Sequence, residues 1–127
     1  MKFAYTLLYV QSTRAAADFY HKAFGFEIGY VGKADMYIEM VTGGTKLGFV
    51  DAAFVAKGMS FNQITPSQPA PGMEIAFATD DVQKAYDAAL AHGATAVCEP
   101  TQKPWGQTVA HVRDLDGFLV ELCTPMG

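Results

Sequence analysis

The chain has 127 residues, enough for one domain with a real core, and 50% of them are hydrophobic against 17% charged, a balance that excludes a disordered tether. A formal net charge of −4 argues against nucleic acid or an anionic membrane surface as partner. No apolar run reaches the roughly 18 residues of a membrane span, and residues 1–10 run straight into polar Gln11, Ser12, Thr13 and Arg14, a strand start and not a signal peptide.

In chain order, residues 3–10 (FAYTLLYV) read as a strand rich in aromatic and aliphatic side chains. Ser12 or Thr13 caps a helix through RAAADFYHKAF, which Gly25 closes. FEIGYV and DMYIEMV are strands, and Gly43 and Gly44 turn the second into KLGFV. The stretch 51–72 carries Gly58, Pro66, Pro69 and Pro71 and reads as a linker. Phe54, Met59 and Phe61 are too apolar for a purely solvated tether, so it is a linker or a lid. MEIAFAT opens the second half as a strand. Asp80 then caps VQKAYDAALAH, with Gln83 at capping-box spacing and Gly93 closing the helix. ATAVCE, TVAHVR and FLVELC follow as strands, the last two joined by the DLDG turn. The two halves repeat one order, β-α-β-β-β. The organisation is a single domain, with module one at 1–50, the linker or lid at 51–72 and module two at 73–127.

Strand alternation predicts which side chains share a face. With Thr42 opposite Thr45, Glu39 falls opposite Gly48, on a face with Tyr37, Val41 and Lys46, while Ile38, Met40, Leu47 and Phe49 form the apolar side. A four-residue DLDG loop pairs Arg113 with Phe118, His111 with Val120 and Ala110 with Glu121. On that register His111 points to the helix-covered face as a core or interface histidine. Each Glu then has a small residue beside it, and Tyr5 shares a face with Phe3, Leu7 and Tyr9, as Glu74 does with Ala76 and Ala78. Helices on the apolar side of a curved sheet, with a mixed concave side, satisfy this pattern. His21 and His92 lie near helix C-termini, where an imidazolium complements the dipole. Cys98 and Cys123 lack zinc spacing and read as reduced cytoplasmic thiols. A carboxylate on Cys123's face raises its thiol pKa instead of activating it.

TLLYVQSTRAAADFYHKAFGFEI and RDLDGFLVELCTP, with Leu115 where a proline is usual, resemble the opening and closing motifs of the vicinal oxygen chelate superfamily, which includes glyoxalase I, extradiol dioxygenases and bleomycin resistance proteins. The resemblance covers nearly the whole chain. It implies an α+β fold of two βαβββ modules forming a curved mixed sheet around a concave pocket, paired as a homodimer. Metal-dependent members place ligands at positions matching Tyr5, Glu39, Glu74 and Glu121. Here two Glu positions are kept and both imidazole positions lack His, so any metal would rest on Glu39, Glu74 and Glu121 and suit a hard ion. The Pro104-Trp105-Gly106 stretch is similar to one in the bleomycin resistance proteins, where a tryptophan region lines the groove for a flat cationic antibiotic.

The expectation is a cytoplasmic binder of a small amphipathic or cationic molecule, with ligand-binding residues Tyr5, Tyr9, Glu39, Glu74, Trp105 and Glu121 and no metal cofactor. The alternative is a metal-dependent glyoxalase-type lyase, isomerase or dioxygenase with an atypical ligand set. The partner in either case is a small molecule.

Overall fold

The computed structural model describes residues 1–126, which form two compact units, Met1–Gln63 and the part beginning at Ile64. In unit 1, β1 (Tyr5–Val10) leads through α1 (Thr13–Phe24) to β2 (Glu27–Val31), β3 (Tyr37–Val41), β4 (Lys46–Asp51) and the short α2 (Ala52–Val55). Unit 2 holds β5 (Ile75–Ala78), α3 (Val82–Ala91), β6 (Thr95–Gln102), β7 (Thr108–Arg113) and β8 (Leu119–Cys123). Each unit carries one four-stranded mixed sheet, ordered β1-β4-β3-β2 and β5-β8-β7-β6. The first pair in each is parallel and the other pairs are antiparallel. The expected α+β fold and internal repeat are present. Among the described residues, no helix is long and apolar enough to cross a membrane.

Local chemistry explains the helix limits. The Ser12 hydroxyl accepts from the Ala15 N–H at 3.1 Å, and Gly25 adopts φ 79° at the other end. For α3 the cap is Asp81 and not Asp80: its carboxylate accepts from Lys84 N at 3.0 Å. The Thr79 hydroxyl accepts from Asp81 N at 3.2 Å, which sets the second of the two aspartates at the helix entrance. Gln83 is then free to donate to Asp87, one turn on.

The unit 1 core follows the predicted alternation, and so do the β8 positions of unit 2, whereas β7 buries Ala110 and Val112, which the predicted register sets on the face of Glu121. In unit 1, Ile38, Met40, Leu47 and Phe49 are buried with Ala16, Ala17 and Tyr20 of α1, and the Tyr20 and Phe49 rings sit 4.9 Å apart. In unit 2, Ala110, Val112, Val120 and Leu122 are buried with Val82 and Ala89 of α3. Burying each of the Val, Leu, Ile, Met and Phe side chains among these stabilises by about 1.5–3 kcal/mol.

The predicted register holds in the first hairpin, with Glu39 opposite Gly48 and the Thr42 hydroxyl donating to Thr45 O at 2.7 Å. It is off by one in the second. His111 pairs with Glu121, Val112 with Val120 and Arg113 with Leu119. The turn closes more tightly than a four-residue loop, because Asp114 N–H donates to Phe118 O at 2.9 Å and Gly117 N–H to Asp114 O at 3.1 Å. The Asp114 carboxylate accepts from the N–H groups of Asp116 and Phe118. Gly117 at φ 98° supplies the positive φ that a three-residue hairpin loop needs. A shift of one residue moves every side chain to the other face. His111 therefore lies beside Glu121, and Ala110 takes the covered position assigned to His111.

Candidate functional site

In unit 1, β3 places Tyr37 and Glu39 two residues apart on the face away from α1. The Tyr37 hydroxyl donates to Glu39 Oε2 at 2.5 Å, and Lys46 Nζ lies 3.5 Å from Glu39 Oε1. Glu39 is therefore already compensated by a phenol and an ammonium. Burial first, then the hydrogen bond and charge of Glu39, hold the Tyr37 phenol above its ordinary ionisation range. Tyr5 is half exposed at 53% and contributes to the same shift. Tyr9 meets Phe61 edge-on, with ring centroids 4.9 Å apart, and its carbonyl accepts from Gln63 Nε2 at 3.4 Å. Met59, Phe61 and Gln63 also line a cavity of about 550 Å³ in this unit.

In unit 2, Glu121 of β8 lies directly across from His111 of β7, and β5 pairs on the other side of β8 with Ala76 beside Glu121. Glu74 stands just before β5, two residues from Ala76 and on its face. His111 Nε2 is 3.2 Å from Glu74 Oε1 and 3.5 Å from Glu121 Oε1. One donor atom from each of the three lies within 4.8 Å of the others, so the group could hold a metal ion. Burial, then the hydrogen bond and charge of Glu74, push the Glu121 carboxyl up, against smaller downward contributions from Cys123 and His111. Burial, then Glu121 and Glu74, also raise the Cys123 thiol, in the direction the sequence suggests.

Trp105 is 63% exposed, at the tip of a tight turn closed by Lys103 N–H to Gln107 O at 2.7 Å and by Gly106 N–H to Lys103 O at 2.9 Å. Its indole N–H donates to Gln107 Oε1 at 2.8 Å, and Gln107 Nε2 donates onward to Thr124 O at 2.8 Å. The indole is a held, outward-facing platform.

Of the six residues expected to bind, Tyr5, Tyr9 and Glu39 belong to unit 1 and Glu74, Trp105 and Glu121 to unit 2. Glu74 and Glu121 are brought together, and the residue joining them is His111, which the predicted register places on the helix-covered face as a core or interface histidine. The D-x-D-G pattern, with glycine at the positive-φ place of a three-residue loop, is the signal that could have found it.

A carboxyl kept protonated by its folded surroundings works against stability once the unfolded chain has ionised. In chelator-treated protein, unfolding free energy is expected to fall as pH rises from the usual carboxyl pKa of about 4.3 through the raised Glu121 value, and to be level with respect to this group above it. Glu121→Gln should flatten that slope. Glu74→Gln should reduce it only in part, because burial is the larger cause. Urea unfolding between pH 4 and 8 reads both, and a Glu121→Gln slope equal to wild type would contradict the shift.

A protein-family model described as the Glyoxalase/Bleomycin resistance protein/Dioxygenase superfamily matches residues 2–122. No curated protein matches the chain. Among solved structures, a glyoxalase-related enzyme from Fulvimarina pelagi superposes with a TM-score of 0.83 at 19% identity, over 100% of this chain and 93% of that one. A glyoxalase/bleomycin resistance protein/dioxygenase family enzyme from Burkholderia phytofirmans PsJN gives 0.75 at 18% identity, over 99% and 100%. TioX from Micromonospora sp. ML1 gives 0.73 at 22% identity, also over 99% and 100%. At these identities the likeness speaks to fold alone.

Proposed function

Because the chain belongs to the Glyoxalase/Bleomycin resistance protein/Dioxygenase superfamily, we propose that it binds a small cationic or amphipathic molecule through the carboxylates of Glu74 and Glu121. The observation that carries this reading is the contrast between the two units. Glu39 is already met by Tyr37 and Lys46, whereas Glu74 and Glu121 share one imidazole and Glu121 is pushed towards its protonated form. An approaching cation supplies what that pair lacks. Trp105 adds an exposed aromatic surface in the same unit for a planar partner.

The test uses the chain's single tryptophan as reporter. Planar organic cations should change Trp105 emission in a saturable way and neutral analogues should not. Glu121→Gln should weaken binding roughly 10- to 100-fold, the cost of about 1.5–3 kcal/mol for a charge-assisted contact. Emission indifferent to every such cation, or equal affinity in Glu121→Gln, would remove the reading.

His111 favours a second reading, metal-dependent chemistry of the glyoxalase type. His111 of β7 offers an imidazole beside Glu74 and Glu121, a donor that suits nitrogen-preferring ions. In such a site His111, Glu74 and Glu121 would hold the ion, which would act as a Lewis acid towards a bound oxygen.

A further inference from the structure

We propose that the connection between β2 and β3, residues 32–36, is a strained latch that holds the Tyr37 ring over Glu39 and Gly48, and that salt loosens it. The device lies wholly within unit 1 and is independent of Glu74 and Glu121 in unit 2. Its sequence is Gly-Lys-Ala-Asp-Met, and the glycine does not stand where the backbone most needs one. Ala34 (φ 55°, ψ 28°) and Asp35 (φ 55°) are the two left-handed non-glycine residues among the described residues. Left-handed backbone presses Cβ towards the following carbonyl, a strain that glycine avoids and that alanine has no polar side-chain group to offset. Gly32 has an ordinary φ of −77° and serves space instead: a Cβ there would stand 3.2 Å from Tyr37 O.

Such strain persists only where surrounding contacts over-determine it. Here those contacts come from the start of α1. The Thr13 hydroxyl donates to Asp35 O at 2.5 Å, and Thr13 is only 5% exposed. Arg14 grips both carboxylate oxygens of Asp35, Nε at 3.3 Å and a terminal nitrogen at 3.2 Å, with both side chains half exposed. The first restraint is sheltered from solvent ions. The second faces water, where an ion pair weakens as salt rises. The latch therefore has one fixed hold and one that ionic strength can slacken.

The held segment runs directly into Tyr37. Gly32 N–H donates to Tyr37 O at 2.7 Å, and Met36 O accepts from Asp51 N–H at 3.0 Å, so residues 32–36 set where β3 begins. From that start the Tyr37 hydroxyl reaches Glu39 and its ring occupies the space over Gly48. Tyr30, from the other strand of the hairpin, flanks the same ring with centroids 6.2 Å apart. When residues 34 and 35 relax to negative φ, the Asp35 carbonyl and carboxylate turn away from α1, and the bond tying Gly32 to Tyr37 loses its frame. The ring is then released, and Gly48 lies open as bare backbone beside the Glu39–Lys46 pair. Closed and open states differ by backbone strain on one side and the Thr13 and Arg14 hydrogen bonds on the other, a balance that small changes shift.

Hydrogen exchange of the full chain, followed by mass spectrometry over residues 32–37, reads the latch. The NMR signal of an isotope-labelled Tyr37 ring, assigned through Tyr37→Phe, reads its hold on the ring. Raising salt to about 1 M, where the screening length is about 3 Å, should speed exchange there roughly 2- to 5-fold and shift the Tyr37 signal, the scale of one exposed ion pair. Arg14→Gln at low salt should do the same, and salt should then add nothing. Ala34→Asn, whose side chain tolerates the left-handed region, should slow exchange below wild type. Circular dichroism of each variant should match wild type, and the salt response of wild type needs no variant at all. Exchange that is indifferent to salt in wild type, or equal in wild type, Arg14→Gln and Ala34→Asn, would overturn the latch. Faster exchange with an unmoved Tyr37 signal would overturn its hold on the ring.

Discussion

Arg113→Met is expected to lower unfolding free energy by about 3–5 kcal/mol, the range for removing one partner of a buried charged network. Arg113 is only 7% exposed, and its guanidinium donates in three directions. Nε reaches Gly117 O at 2.9 Å, one terminal nitrogen reaches Pro66 O at 3.1 Å and also Gln68 O, and the other reaches Thr65 O at 3.0 Å. Methionine fills similar volume and leaves all four carbonyls without their cation. Asp114 and Asp116 are buried in the adjoining turn, so the lost positive charge is also missed electrostatically. Arg113→Lys should recover little, because one ammonium cannot reproduce a planar fork spanning both the hairpin and residues 65–68. The urea midpoint measures the loss, and proteolysis within residues 65–68 locates it. A change below about 1 kcal/mol, in the range of an exposed pair, would show that the network contributes no more than surface charges do. The effect bears on the site as well. Arg113 closes the same turn that sets His111 opposite Glu121, so a loosened turn is expected to weaken cation binding at Glu74 and Glu121 before the protein unfolds.

That turn also marks where the sequence stops being legible. Caps, helix-closing glycines and period-two alternation are local signals, and they point to both modules, the covered faces and the Glu39–Gly48 pairing. The second hairpin depends on how many residues the turn absorbs. DLDGF supports two counts, and the tighter one wins because the Asp114 side chain and backbone and the Gly117 carbonyl all find partners in it. One residue of slip replaces Ala110 by His111 beside Glu121 and changes the character of the site. At Asp80 and Asp81 two equivalent caps compete, and a hydroxyl at Thr79 decides between them. The room predicted beside Glu39 does exist at Gly48. What strand alternation cannot tell is that Tyr37, two residues away on the same face, fills it.

Gly48→Ala is the direct test of that arrangement. A methyl group there would lie 2.5 Å from Tyr37 Cε1, 2.8 Å from its hydroxyl and 2.9 Å from Leu7 Cδ2. All three are below any tolerated contact, so the ring must leave. Moving it breaks the 2.5 Å hydrogen bond to Glu39, whose side chain is only 19% exposed and keeps Lys46 as its remaining partner. Overpacking of this kind costs about 1–3 kcal/mol, and a half-buried carboxylate losing a donor adds roughly 1 kcal/mol more. A total near 2–4 kcal/mol is expected in urea unfolding. The cause has its own signature. In wild type, Tyr37 stays protonated beyond the ordinary phenol range because it is partly buried and bonded to Glu39. Folded protein should therefore lose stability as pH rises past the unfolded phenol pKa of about 10, where the unfolded chain releases this proton and the folded one keeps it. In Gly48→Ala the displaced phenol should ionise at lower pH than in wild type, visible as one more group in the ultraviolet ionisation curve. Tyr37→Phe should remove that titration without the steric cost. A Gly48→Ala protein that matches wild type in both stability and tyrosine titration would mean that the Tyr37–Glu39 bond is not what occupies the space over Gly48.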